Sequence, residues 1–180
     1  MAVTKISPRQ HDDTIEAVIV AATGTINSTE TIVVKSTAIP ANRFEVGTSF
    51  RVTLFGTCTS TAANVSTFAI RIGTLGTTSD GLMLSAPTAV AVNSGTAIPF
   101  KVIIELTIRT IGASATCHGV LTLFNAGTTG IAAVLTQVVL PSFTSFNSTT
   151  ASNIISVTYK SAATTTTCTF QDAFIEQIYK

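Results

Sequence analysis

Residues able to do chemistry are few and scattered in this 180-residue chain. His11, Asp12 and Asp13 form the one local cluster of metal-ligating types. Metal binding there would need further ligands from elsewhere, so a solvated polar segment is the expectation. Cys117 and His118 make a second candidate pair. Neighbours on a strand point to opposite faces and cannot grip one ion without a bulge, which leaves His118 as an ordinary strand-face residue. Cys58, Cys117 and Cys168 are odd in number and widely spaced in strand-like surroundings. All three are expected to be buried, reduced and structurally passive, because such thiols behave as small apolar core residues.

Nucleophilic, phosphate and acid-pair chemistry lack a frame. Serine is abundant, yet no GxSxG elbow occurs to present one as a nucleophile. Gly73-Thr74-Leu75-Gly76 joins strands and opens no helix, so it is not a phosphate loop. Glu45, Asp80 and Glu105 are isolated acids, with nothing that would pair two of them across a glycosidic bond. For stacking sugars the chain offers no Trp and only two Tyr, while its ten Phe suit a core, apart from Phe143 and Phe146 in a loop. No catalytic residue, cofactor or metal is expected, and the role is expected to be non-enzymatic.

The elements that position these residues are strands. From Phe100 to Ile108 the even positions are Phe, Val, Ile, Leu and Ile, and the odd ones are Lys101, Ile103, Glu105, Thr107 and Arg109. That period of two marks a strand with five apolar side chains on one face. Ser49–Thr57 alternates in the same way around Phe50, Val52 and Leu54, until Gly56 interrupts it, and Ser66–Gly73 does so around Phe68, Ile70 and Ile72. Shorter strands are expected over 17–22, 31–36, 82–84, 89–92, 116–124 and 131–140, with 99–113 and 116–124 forming a long hairpin. A last hairpin is expected from 154–160 and 166–171 across Ala162-Ala163-Thr164, and the tail 172–180 reads equally as strand or helical turn. Nine or ten short strands without a convincing helix predict an all-β fold, a jelly-roll β-sandwich, with an immunoglobulin-like sandwich as the alternative. Residues 1–14 are polar and aperiodic and read as an extended N-terminal arm, leaving 15–180 as one domain.

Composition points toward association. Hydrophobic residues make up 46% and charged residues 11%, against about 25% charged in an ordinary soluble domain. Ser and Thr stand where charges would, giving a neutral surface that favours assembly with copies of itself. Phe55 and Ile103 break the polar faces of two otherwise well-patterned strands and are the candidate oligomer-interface residues. A homotrimer is expected, since a three-fold ring closes through two different patches on each subunit. Net charge is +1 and the basic residues are dispersed, so no direct nucleic-acid contact is expected. Charged residues occupy the place of a signal peptide, and the early apolar run is short, so cytoplasmic synthesis without membrane insertion is expected.

Three stretches carry a resemblance: Ser49-Phe50-Arg51-Val52-Thr53-Leu54-Phe55-Gly56-Thr57, the PFKVIIELTIRTIG segment beginning at Pro99, and Phe170-x-x-Ala173-x-Ile175-Glu176. Over roughly 49–178 the pattern resembles the β-rich head-fibre, decoration and tail-associated proteins of tailed bacteriophages. That resemblance implies a non-enzymatic structural subunit located in the virion and made in the host cytoplasm. Absence of heptads and collagen repeats disfavours a long fibre shaft. A capsid decoration or auxiliary subunit fits best, contacting other virion proteins, with the major capsid protein foremost. Its arm, including Lys5, Arg9, His11, Asp12 and Asp13, would grip the shell. A tail spike or fibre tip that binds a host receptor or glycan is the alternative.

Overall fold

The computed structural model describes residues 14–19, 25–60, 64–85, 90–92, 95–125, 134–140 and 144–179. Within them run eleven strands: β1 (Thr14–Ile19), β2 (Thr31–Lys35), β3 (Ser49–Ser60), β4 (Asn64–Gly73), β5 (Gly81–Ser85), β6 (Val90–Val92), β7 (Gly95–Thr110), β8 (Thr116–Asn125), β9 (Val134–Leu140), β10 (Ile154–Ser161) and β11 (Thr167–Tyr179). Six form one sheet in the order β1-β11-β3-β7-β8-β9, and the other is β2-β10-β4-β5, with β6 also paired to β4. Every ladder is antiparallel.

The pairing is nested. β1 meets β11, β2 meets β10, β3 meets β7, and β4 meets β5 and β6. A chain folded back as one long hairpin and then rolled so that successive pairs alternate between two sheets is a jelly roll, as the strand pattern predicts. The β7–β8 hairpin also forms as expected, and β9 follows β8 to widen the larger sheet beyond the nested pairs.

Period-two alternation decides what lies between the sheets. Val102, Ile104, Leu106 and Ile108 of β7 are fully buried, and so are Phe50, Val52 and Leu54 of β3 and Phe68, Ile70 and Ile72 of β4. Gly56 does not end β3; the strand continues through it to Ser60. A Cβ on Gly56 would strike the Thr169 carbonyl and come within 2.8 Å of the Phe100 ring, so the missing side chain is the space that ring occupies. Gly119 plays the same part for Leu84 of the opposite sheet, whose Cδ1 would lie 2.7 Å from an added Cβ. Phe68, Phe100, Tyr159 and Phe170 gather at one end of the core, with Phe100 and Phe170 edge to face at 5.3 Å. Ser66 holds the buried Tyr159 hydroxyl at 2.9 Å.

Several expectations are corrected. β10 and β11 are not a hairpin: β10 lies in the smaller sheet and β11 in the larger. The short Ser/Thr/Ala turn after Ser161 carries the chain across the core, where Tyr159 and Phe170 pack at 5.4 Å. A turn of that composition fits a sheet-crossing arch as well as a hairpin. The undecided tail is strand, since β11 runs to Tyr179 against both β1 and β3.

The thiols are not all free. Cys58 and Cys168 sit directly opposite in the β3–β11 register, point to the same buried face with Cα atoms 4.2 Å apart, and form a disulfide. Placing the three cysteines on separate strands did not reveal which strands are neighbours. Cys117 is free and buried, and burial pushes its thiol up to about 12. Phe146 is no loop-tip aromatic, because it is buried edge-on against Phe44 at 5.3 Å. Phe143 lies outside the described residues, as do 1–13 of the arm, while Thr14 opens β1.

Candidate functional site

Alternation that sends apolar residues inward leaves each sheet an outer face, and the two outer faces differ in chemistry. On the smaller sheet the outer face is polar and centred on a paired cluster. Arg71 of β4 donates to both Glu30 carboxylate oxygens at 2.7 and 2.9 Å and to the Asp80 carbonyl at 2.8 Å. Thr158 of β10 donates to Glu30 at 2.7 Å. The Arg71 hydrogen bond holds the Glu30 carboxyl below the usual carboxylate range, against the opposing effect of burial. Asp80 turns its own carboxylate into the β4–β5 loop and accepts the backbone N–H groups of Leu75, Gly76 and Thr77. Arg71, Glu30 and Asp80 are therefore satisfied within the subunit, while Lys35 and Lys160 stand exposed on the same face.

The larger sheet presents the opposite character. Phe55 and Ile103, expected from the sequence to anchor an interface, lie together on its outer face. Phe55 faces Lys101 across the β3–β7 ladder, and Ile103 faces Thr53 in the next outward pair. Both are part-exposed. The same surface continues onto β8 and β9: Lys101 pairs with Phe124, Ile103 with Thr122, and Glu105 with Val120, which in turn pairs with Val139. Phe124 is 39% exposed and Val139 58% exposed. Phe55, Ile103, Val120, Phe124 and Val139 thus form an apolar field across four strands, interleaved with Thr53, Thr122 and Gln137.

Two of the cations inside that field have partners there. Arg51 donates to Glu105 Oε1 through Nε at 3.0 Å and Nη2 at 2.8 Å. The Lys101 ammonium stands 5.2 Å from the centre of the Phe55 ring, an attraction that keeps the amine on the aromatic face. His118 is exposed on the same side of β8 while Cys117 points inward, so the two cannot serve one metal, as their adjacency implies. Among the described residues no group of three His, Cys, Asp or Glu could hold a metal ion, and no helix is long and apolar enough to cross a membrane. Sequence reasoning missed Val120, Phe124 and Val139. Val120 and Leu121 are apolar neighbours, so alternation alone did not say which of them faces out. Lys5, Arg9, His11, Asp12 and Asp13 lie outside the described residues.

Fold and face together define an all-β jelly-roll sandwich with one polar outer face built around Arg71 and Glu30 and one broad outer face that carries an apolar field. No family model matches the chain, and no curated protein matches it. Among solved structures it is similar to the CBM2 module of the evolved Dit of Lactobacillus casei BL23 phage J-1, at 10% sequence identity and a TM-score of 0.36, over 82% of this chain and 69% of that one. A likeness of that size carries no information about function.

Proposed function

We propose that the protein is a non-enzymatic structural subunit of a phage virion, a capsid decoration or auxiliary protein that self-associates through the outer face of its six-stranded sheet. The observation that carries this reading is the field of Phe55, Ile103, Val120, Phe124 and Val139, within which Arg51 is paired with Glu105 and Lys101 lies over the Phe55 ring. Burying such a face removes apolar area from water at about 25 cal/mol per Å², and the Arg51–Glu105 pair enters it already matched. The virion assignment rests on the resemblance of the three sequence stretches, and the nested jelly roll agrees with it. In this reading the subunit is a homotrimer and residues 1–14 reach to the major capsid protein.

Two measurements test it. Light scattering should give about three times the 18.7 kDa chain mass, and Phe55→Ser with Ile103→Ser should shift the protein toward monomer while its circular dichroism is preserved. Wild-type monomer at micromolar concentration refutes the association face. Copy number in purified particles then separates the two virion readings, because a decoration subunit follows the lattice and a tail tip is present in few copies.

A further inference from the structure

A cleft of about 170 Å³ lies between the loop that follows β2, the start of β3 and the end of β11. Its floor is apolar, made by Ile39, Phe44 and Phe50, all buried. Its rim is polar. Arg43 stands there on the exposed loop, and Gln177 comes from β11. Gln177 continues the inward-facing row of Ala173 and Ile175 and lies opposite Phe50, so a carboxamide occupies a position that strand periodicity assigns to the core. The register of β11 against β3 slips just beyond it, between Gln177 and Tyr179, a bulge of the kind that re-aims side chains beside binding sites. Neither the Arg43 guanidinium nor the Gln177 carboxamide has a side-chain hydrogen bond or ion pair among the described residues.

The cleft is preformed. Ile39 exchanges both backbone hydrogen bonds with Asn153, at 2.8 and 2.9 Å. Asn42, held at a φ of 61°, donates its N–H to the Ser148 carbonyl at 2.8 Å and its side-chain amide to the Thr149 carbonyl at 3.3 Å. Thr48 accepts the Glu45 N–H at 3.0 Å and closes the far side of the loop. With the Ile39 backbone committed, the wall has no edge there for an extended peptide, and recognition falls to side chains. A planar guanidinium matches a carboxylate, and a carboxamide matches hydroxyls. The volume is several times the roughly 10–15 Å³ that one water needs, so the cleft admits a group larger than a single water.

We propose that this cleft binds a sugar ring bearing a carboxylate, with Arg43 on the acid group and Gln177 on the ring hydroxyls. The site is separate from the association face, and the two stand or fall independently. The test follows backbone amide shifts of the intact oligomer by NMR during titration with glucuronate, glucose and acetate. Glucuronate should saturate in the millimolar range with shifts centred on Ala38, Arg43 and Gln177. Glucose and acetate should each bind at least tenfold more weakly, since each supplies only half of the recognition. Arg43→Ala, at an exposed position that leaves the core intact, should weaken glucuronate at least tenfold, and Arg43→Lys should restore part of that loss. Absence of cleft shifts with glucuronate, equal binding of glucose and glucuronate, or an Arg43→Ala protein that binds glucuronate like wild type each overturns the proposal.

Discussion

Reducing the Cys58–Cys168 disulfide is expected to remove a large share of the protein's stability. The bridge joins residues 110 apart in sequence, and closing a loop of that length in the unfolded chain costs conformational entropy equivalent to about 5 kcal/mol at 25 °C on the chain-entropy model. Domains of this kind are stable by only about 5–15 kcal/mol in total. Both sulfurs are buried and the Tyr159 hydroxyl lies 3.0 Å from Cys168 Sγ, so a reductant reaches the bond only through an opened state. The comparison is therefore made by urea unfolding after equilibration with and without a strong reductant. With a slope of roughly 2 kcal/mol per molar urea, the midpoint should fall by roughly 2.5 M. A fall of less than roughly 0.5 M would refute the loop-closure reasoning. Thiol titration of the unfolded, unreduced protein should count one free thiol, Cys117, and a count of three would refute the bridge itself.

Two further outcomes follow from the packing and the charges. Gly56→Ala should destabilise by about 1–3 kcal/mol or more, because the added methyl meets a strand carbonyl that cannot swing away as well as the Phe100 ring; an unchanged denaturation midpoint would show that the two sheets yield there. Glu30, whose carboxyl is held low by Arg71, contributes stability that is present above its unfolded value near 4.5 and is lost as pH falls through the lower folded value. Melting temperatures across pH 6 to 2 should accordingly fall less steeply for Glu30→Gln than for wild type, and parallel curves would mean that the Arg71 pair does not favour the folded state.

Most of the layer structure was legible because β3, β4 and β7 alternate with few exceptions, and alternation is the quantity that burial of one face imposes. Phe55 and Ile103 stood out for the same reason, as apolar residues on faces otherwise polar. What could not be read was which strands are neighbours. Cys58 and Cys168 look unrelated until β3 and β11 are known to pair in register, and the turn after Ser161 carries no mark that distinguishes an arch from a hairpin. The cleft was hidden in the same way. Arg43 lies in a loop of ordinary composition, and Gln177 becomes conspicuous only once the tail is known to be strand, which places a carboxamide in line with Ala173 and Ile175.

The nested pairing has a consequence for how the chain is made. Among the described residues β1 and β2 find their ladder partners in β11 and β10, so they leave the ribosome long before those partners exist. Between Lys35 at the end of β2 and Ile154 at the start of β10 lie 119 positions of synthesis, which at 5–20 residues per second is a wait of roughly 6 to 24 s. During that interval two strand-forming segments, in a chain with few charges to keep it apart from its neighbours, are open to pairing with the wrong molecule. Growing chains on one message carry the same segments side by side. Nascent-chain crowding is therefore expected to lower yield, and slower initiation or lower temperature should raise the soluble fraction.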